Sequence, residues 1–202
     1  RSPFSENVAL SGGGIFATDN AGILLVGLHE VQDVEDETPI SLFTSTWNAD
    51  TTTSSNNNIP LVNSLIEKNN AQIGGAIVVN GHTSLHISGY VISKNTAKFD
   101  GGAISIEKSK DINVINTAIT SNSASSRGGG LYLGKGVAVS VVKSLIKDNW
   151  AGGNGGGLHQ GVDAILDVSN SFLVGNKALG NGGGLFVSDT RLTMAKSKLI
   201  YN

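Results

Sequence analysis

A repeat of 27 residues constrains this chain more than any other feature. The motif Gly-Gly-(Ala/Gly)-(Ile/Leu) recurs six times, with its apolar residue at Ile15, Ile77, Ile104, Leu131, Leu158 and Leu185, and the last five are each 27 residues apart. Upstream of each copy lies Asn-x-Ala, at Asn7/Ala9, Asn69/Ala71, Asn95/Ala97, Asn122/Ala124, Asn149/Ala151 and Asn176/Ala178. Asn202 stands where the next Asn is due, so both chain ends fall inside a repeat; the expectation is open strand edges that neighbouring coils would cover.

Inside each repeat the apolar residues alternate with period 2, the strand signal. Three residues before each Asn stand Ile66, Ile92, Ile119, Ile146, Leu173 and Leu199. Eight before it are Leu61, Ile87, Val114, Val141, Val168 and Met194, and ten before it Ile59, Leu85, Ile112, Val139, Leu166 and Leu192. The residues between those two columns, Pro60, His86, Asn113, Ser140, Asp167 and Thr193, are mostly polar and read as outward. After the glycines, Ile77/Val79, Ile104/Ile106, Leu131/Leu133 and Leu185/Val187 repeat the alternation. Strands this short cannot bury an apolar face alone, and 27 residues leave no room for a helix in each unit. Stacking coil on coil solves the problem, each strand pairing in parallel with its counterpart roughly 4.8 Å away. The pattern predicts an all-β, right-handed parallel β-helix of about six coils with three short strands each, forming a single segment over 1–202.

The Asn and Gly columns belong to the corners. Asn69, Asn95, Asn122, Asn149 and Asn176 are expected to take the left-handed conformation a bend requires and to bond to one another in a ladder. Gly75, Gly102, Gly129, Gly156 and Gly183 are expected where a Cβ would block close approach of backbone.

One interval breaks the period. Ile15 and Ile77 are 62 residues apart, which reads as one coil carrying an insertion over 27–58, with Ile23-Leu24-Leu25-Val26 continuing the solenoid. The insertion holds an acidic run (Asp33, Glu35, Asp36, Glu37) and a polar low-complexity stretch at 51–58. Loops this long are usually functional or disordered; the leading expectation is a mobile, solvated loop, and the alternative is a partner-binding or capping loop with Trp47 as its anchor. The acidic run lacks the alternating ligand spacing of a calcium loop.

Gly-Gly-Ala-Ile at 74–77 and 101–104, with Asn eight or nine residues before the Ile, resembles the repeats of the chlamydial polymorphic outer-membrane proteins. Those repeats build the β-helical passenger of an autotransporter. The likeness covers most of the chain outside 16–58, although the family's Phe-x-x-Asn reads here as Ile92-Ser-Lys-Asn95 and later copies read Gly-Gly-Gly-Leu. It implies a secreted, surface-exposed β-helix.

Composition narrows the functional classes. A net charge of −2 with 15% charged residues gives no overall electrostatic signature for nucleic acid or an acidic membrane. No run of 18 apolar residues is present to span a membrane as a helix. With no Cys, disulfides and Cys-based metal sites are ruled out. No Asn-x-Ser/Thr glycosylation acceptor occurs. No cofactor or metal is expected.

For binding, the outward column of the strand after the glycines is the best candidate: Val78, Ser105, Tyr132, His159 and Phe186. Tyr132, His159 and Phe186 would stack on successive coils as an exposed aromatic strip able to hold a sugar or a protein. For catalysis, β-helix lyases and hydrolases need carboxylates on adjacent coils. The candidates are Asp163, Asp167 and Asp189 with Arg191 and His159, yet no column places two carboxylates in register on the sequence frame. The leading expectation is an extracellular structural or adhesive segment (a stalk, passenger or fibre component) whose partner is a protein or carbohydrate at a cell surface. A carbohydrate-active enzyme and a subunit docked to neighbours in a larger assembly are the alternatives.

Overall fold

The computed structural model describes residues 4–5, 8–17, 22–26 and 64–202. The expected insertion over 27–58, with Trp47 and the acidic run, lies outside the described residues. Among those described there is no helix, and four parallel sheets of six or seven strands stack along one axis as a β-solenoid of about five turns.

One coil shows how the sequence makes it. Tyr90–Ser93 belongs to the first sheet, Thr96–Ala97 to the second, Ile104–Glu107 to the third and Asp111–Ile115 to the fourth. The first, third and fourth are the three expected strands; the second is a two-residue segment carrying the Ala of Asn-x-Ala. Register is set by the repeat: Ile104 pairs with Ile77 and Leu131, Ile119 with Ile92 and Ile146, and Val114 with Ile87 and Val141. Each inner column is thus one side-chain class stacked on itself. Ile66, Ile77, Ile87, Ile92, Ile104, Ile106, Ile119, Leu131 and Ile146 are fully enclosed. At about 1.5–3 kcal/mol for each such side chain, this dry bore is the main stabilising contribution.

Ile23 and Leu25 pair with Leu85 and Ile87, so the run at 23–26 does continue the solenoid, as expected. Ile23 and Leu25 thus stand next to Leu85 and Ile87 in those two columns. Ile59 and Leu61, which the sequence pattern assigns to the same columns, lie outside the described residues.

The corners differ from expectation in one respect. The ladder is present: Asn95 donates its main-chain N–H to Asn122 Oδ1 at 2.9 Å and its Nδ2 to the same oxygen at 3.0 Å, and donates again from Nδ2 to Ile66 O at 3.1 Å. All three bonds recur at Asn122, Asn149 and Asn176, the last bonding Asn202, and Asn69 makes both bonds to Asn95 Oδ1. The left-handed conformation, however, sits one residue earlier, at Lys68, Lys94, Ser121, Asp148, Gly175 and Tyr201, with φ between 52° and 62°. This division lets the turn residue point outward while the Asn side chain turns in, where its amide can bond the main chain. The Ala two residues on is enclosed at Ala71, Ala97, Ala124 and Ala151. A Cβ on Gly102 would collide with Gly129 O and with the main chain of Ser123, so the glycine column is a close approach of backbones, as expected.

A second ladder turns the corner between the fourth and first sheets. Thr117, Ser144 and Ser171 each donate their main-chain N–H to the hydroxyl one coil on, at Ser144, Ser171 and Ser197 (3.0–3.2 Å). Again the preceding residue, Asn116, Lys143, Asn170 or Lys196, has φ near +50°.

Candidate functional site

The outward column of the third sheet holds the expected ring stack. Tyr132, His159 and Phe186 occupy paired positions on Leu131–Leu133, Leu158–Gln160 and Leu185–Val187. The Tyr132 and His159 ring centres are 5.4 Å apart with planes at 13°, and those of His159 and Phe186 4.9 Å apart at 8°. The stack is not an exposed strip, however. Tyr132 is 8% exposed and His159 5%, while Phe186 is half-buried. Exposure was misjudged because the glycine-rich loop between the second and third sheets folds back onto the strand it feeds. A Cβ on Gly155 would come within 2.8 Å of the His159 Cα.

From one such loop Arg127 reaches over the stack, its guanidinium carbon 4.7 Å from the Tyr132 ring centre. Asp100, one coil earlier, holds it as a fork: Nε donates to Oδ1 at 3.0 Å and Nη2 to Oδ2 at 2.7 Å, while the Arg127 main-chain N–H also donates to Oδ1. This pairing raises the affinity of Arg127 for its proton. The Tyr132 hydroxyl and the Glu107 carboxyl interact, drawing the Glu107 pKa down and the Tyr132 pKa up. The Glu107 carboxylate occupies the space left by Gly134, where a Cβ would collide with it. Burial pushes the Glu107 carboxyl above the usual carboxylate range, against the opposing pull of Tyr132 and Arg127.

His159 lies between the rings with its Nδ1 buried and without a hydrogen-bond partner. Burial first, and Arg127 second, lower its pKa to about 4, so the imidazole is neutral at pH 7. The next residue, Gln160, replaces the apolar residue of an inner column between Leu133 and Val187. Its Nε2 donates to Ala164 O, Thr190 Oγ1 and Arg191 O at 2.8–3.1 Å, and its Oε1 is buried without a partner.

Asp100, Glu107, Arg127, Tyr132 and His159 thus form one polar group on the outside of the third sheet. Sequence reasoning identified Tyr132 and His159 and missed the other three. Asp100 and Arg127 are 27 residues apart, and that register was the available signal.

The carboxylates expected for catalysis are placed differently. Asp163 and Asp189 do stand in register, contrary to expectation: they occupy the same left-handed corner position on adjacent coils, with Asp163 N donating to Asp189 O at 3.2 Å. The offset between these corners is 26 residues, which hides the match from a frame of 27. Both side chains are exposed, and Asp163 faces Lys135 at 3.6 Å. Asp167 points outward from the fourth sheet between Ser140 and Thr193, and Arg191 pairs with Ile165. His159 is held in the ring stack. Among the described residues, no three His, Asp or Glu side chains converge as metal ligands. Trp47 lies outside the described residues. No known family model, curated protein or solved structure matches the chain.

Proposed function

We propose that the chain is a segment of an extracellular structural or adhesive protein, a stiff solenoid that spaces or presents a binding surface at a cell surface. The observation that carries this reading is the pair of ladders at the two corners that flank the first sheet, the Asn ladder from Asn69 to Asn202 and the hydroxyl ladder from Thr117 to Ser197. Buried Asn and Ser side chains in successive coils are committed to bonding the next coil, so the sequence invests its internal polar groups in axial continuity. The resemblance of the Gly-Gly-Ala-Ile repeats to surface passenger repeats supports the location, and the partner class is a surface protein or glycan. The test is mechanical and adhesive together. Pulled from its ends, the chain should resist as one cooperative unit, and displayed on an inert cell it should increase attachment to other cells or glycan surfaces. Unfolding at low force coil by coil, with no gain in attachment, would remove the proposal.

A second reading, as a carbohydrate-active enzyme, draws on the grouping of Glu107, held toward its protonated form, with Asp100, paired to a cation. Two carboxyl groups in unlike environments suit acid and base roles. Hydrolysis of an acidic or neutral polysaccharide that disappears in Glu107→Gln, with the fold intact, would favour it over the structural reading.

A further inference from the structure

Five exposed apolar side chains, Leu10, Ile73, Phe99, Trp150 and Leu179, gather along the second sheet, while others such as Phe16, Ile165 and Tyr201 lie elsewhere. In that sheet Ala71, Ala97, Ala124 and Ala151 face inward, so the residues on either side of each Ala face out. Leu10 follows Ala9 and Leu179 follows Ala178, and these two are 74% and 77% exposed. Ile73, just past Gln72 on the next coil, stands opposite Ser11, the neighbour of Leu10, and Phe99 lies one coil further, where Phe99 N donates to Gln72 O. Trp150 is 37% exposed and precedes Ala151; Leu179 N donates to Ala151 O, which sets Leu179 beside it on the next coil. The Trp150 ring lies against Gly152, where a Cβ would meet Cη2 at 3.3 Å. The two apolar patches are separated only by the small residues Ser123, Ser125 and Ser126, so they share one ridge along the solenoid axis.

The ridge is also cationic. Lys98 and Lys177 lie on it and Lys94 borders it; all three are exposed, and none of them forms an ion pair with a carboxylate among the described residues. The acidic groups nearby are already engaged, Asp100 by Arg127 and Asp148 by Lys147. The net charge of −2 conceals this, because residues 27–63 contain six carboxylates and no Lys or Arg. The described residues hold 13 Lys and Arg against 8 Asp and Glu.

We propose that this ridge docks peripherally on an anionic lipid surface, with the Leu10–Ile73–Phe99 and Trp150–Leu179 patches seated among the headgroups and acyl ends and the lysines on the phosphates. The ridge is the outside of a corner, so a partner meets it across an open surface. Between the edge strands of the second sheet its main chain is already bonded from coil to coil, so a partner meeting the middle of the ridge meets side chains and not a free strand edge. Exposed Leu, Ile, Phe and Trp beside lysines that pair with no carboxylate among the described residues match an interface that offers apolar depth beneath a negative layer. The inference goes beyond the structural and adhesive reading and uses none of its ladders.

The experiment is co-sedimentation of the full chain with vesicles of phosphatidylcholine alone and of phosphatidylcholine mixed with phosphatidylglycerol. Binding is expected to the anionic vesicles, weakened by salt. The combined variant Lys94→Gln, Lys98→Gln, Lys177→Gln should lower partitioning on the order of a hundredfold. Trp150→Ser with Leu179→Ser should lower it further at high salt, where charge is screened. All five positions are exposed, and an unchanged circular dichroism spectrum in each variant verifies folding. The proposal is overturned if the wild-type chain stays in the supernatant with anionic vesicles, or if the lysine variant binds as wild type does. Binding to immobilised polyglutamate without binding to vesicles would overturn it in favour of an acidic polypeptide partner. Failed vesicle binding with retained attachment of displaying cells would sink the ridge proposal alone and leave the adhesive reading standing.

Discussion

The Asn corner and the Tyr132–His159–Phe186 column are both stacks of one residue per coil, built by the same repeat, yet they obey different rules. At the corner each side chain must be Asn. Its amide accepts two bonds from the coil before, donates one to the coil after and one to a main-chain carbonyl, and a substitute breaks bonds on both sides. In the ring column, Val78, Ser105, Tyr132, His159 and Phe186 succeed one another, because stacking there asks only that each residue fit beneath the glycine loop. The cost of that tolerance is local: His159 Nδ1 is left alone in the stack. Of these two columns, the uniform one is held by hydrogen bonds that pass between coils, and the varied one by ring packing and local polar contacts.

That contrast can be broken in several ways. Asn122→Ala should be the most damaging change, leaving the Asn95 main-chain N–H and Nδ2 without their acceptor inside the corner. A loss of about 4 kcal/mol is expected, read from denaturant unfolding. A loss under about 1 kcal/mol would show that the ladder is incidental. Acid should come next. The His159 pKa is lowered on folding, so the folded chain binds fewer protons than the unfolded chain between about pH 4 and pH 6.5. Its contribution is complete above pH 6.5 and is lost as pH falls toward 4, by about 3 kcal/mol over that window. Glu107, whose pKa is raised, acts in the opposite sense: its part is present at low pH and lost as the carboxyl ionises. Stability of His159→Phe measured against pH should therefore lack the His159 component while keeping that of Glu107.

At neutral pH the same His159→Phe variant should be more stable than wild type by about 1 kcal/mol, since it removes an unpaired buried nitrogen and keeps the stack. Destabilisation would mean that the imidazole makes a contribution its geometry does not show. The smallest effect is expected on the ridge: Leu179→Ser should shift stability by less than about 0.5 kcal/mol, as surface changes do.

Much of the fold was legible because stacking requires it. A column of Ile66, Ile92, Ile119, Ile146 and Leu173 has one explanation in a chain with a 27-residue period, and alternation then assigns the inner face. The corners were half legible. Sequence showed that Asn recurs, but the left-handed residue before it is Lys, Ser, Asp, Gly or Tyr, because an outward turn position selects for no side chain. The Ser ladder was harder still, since Tyr90 and Thr117 occupy its first places and blur the column. An apolar group outside the bore, Ala118, Leu145, Phe172 and Val174, was also missed, because period-2 reasoning assigns only one buried face to a strand. Of the candidate site, the stacking of the rings followed from register, while their enclosure depended on the fold-back of a loop, which no periodicity encodes.

One property of the Asn ladder reaches beyond stability. Every inter-side-chain bond runs the same way, from each Asn amide to the Oδ1 of the coil that follows, from Asn69 through to Asn202. The corner is therefore a row of aligned dipoles, and the solenoid is a vector: one side of each coil offers acceptors to the ladder and the other offers donors. A further coil, whether from this chain or another, can join that row in a single orientation. Two such surfaces brought together head to head would set like partial charges against each other, so the arrangement favours head-to-tail order and disfavours the symmetric pairing that most proteins adopt.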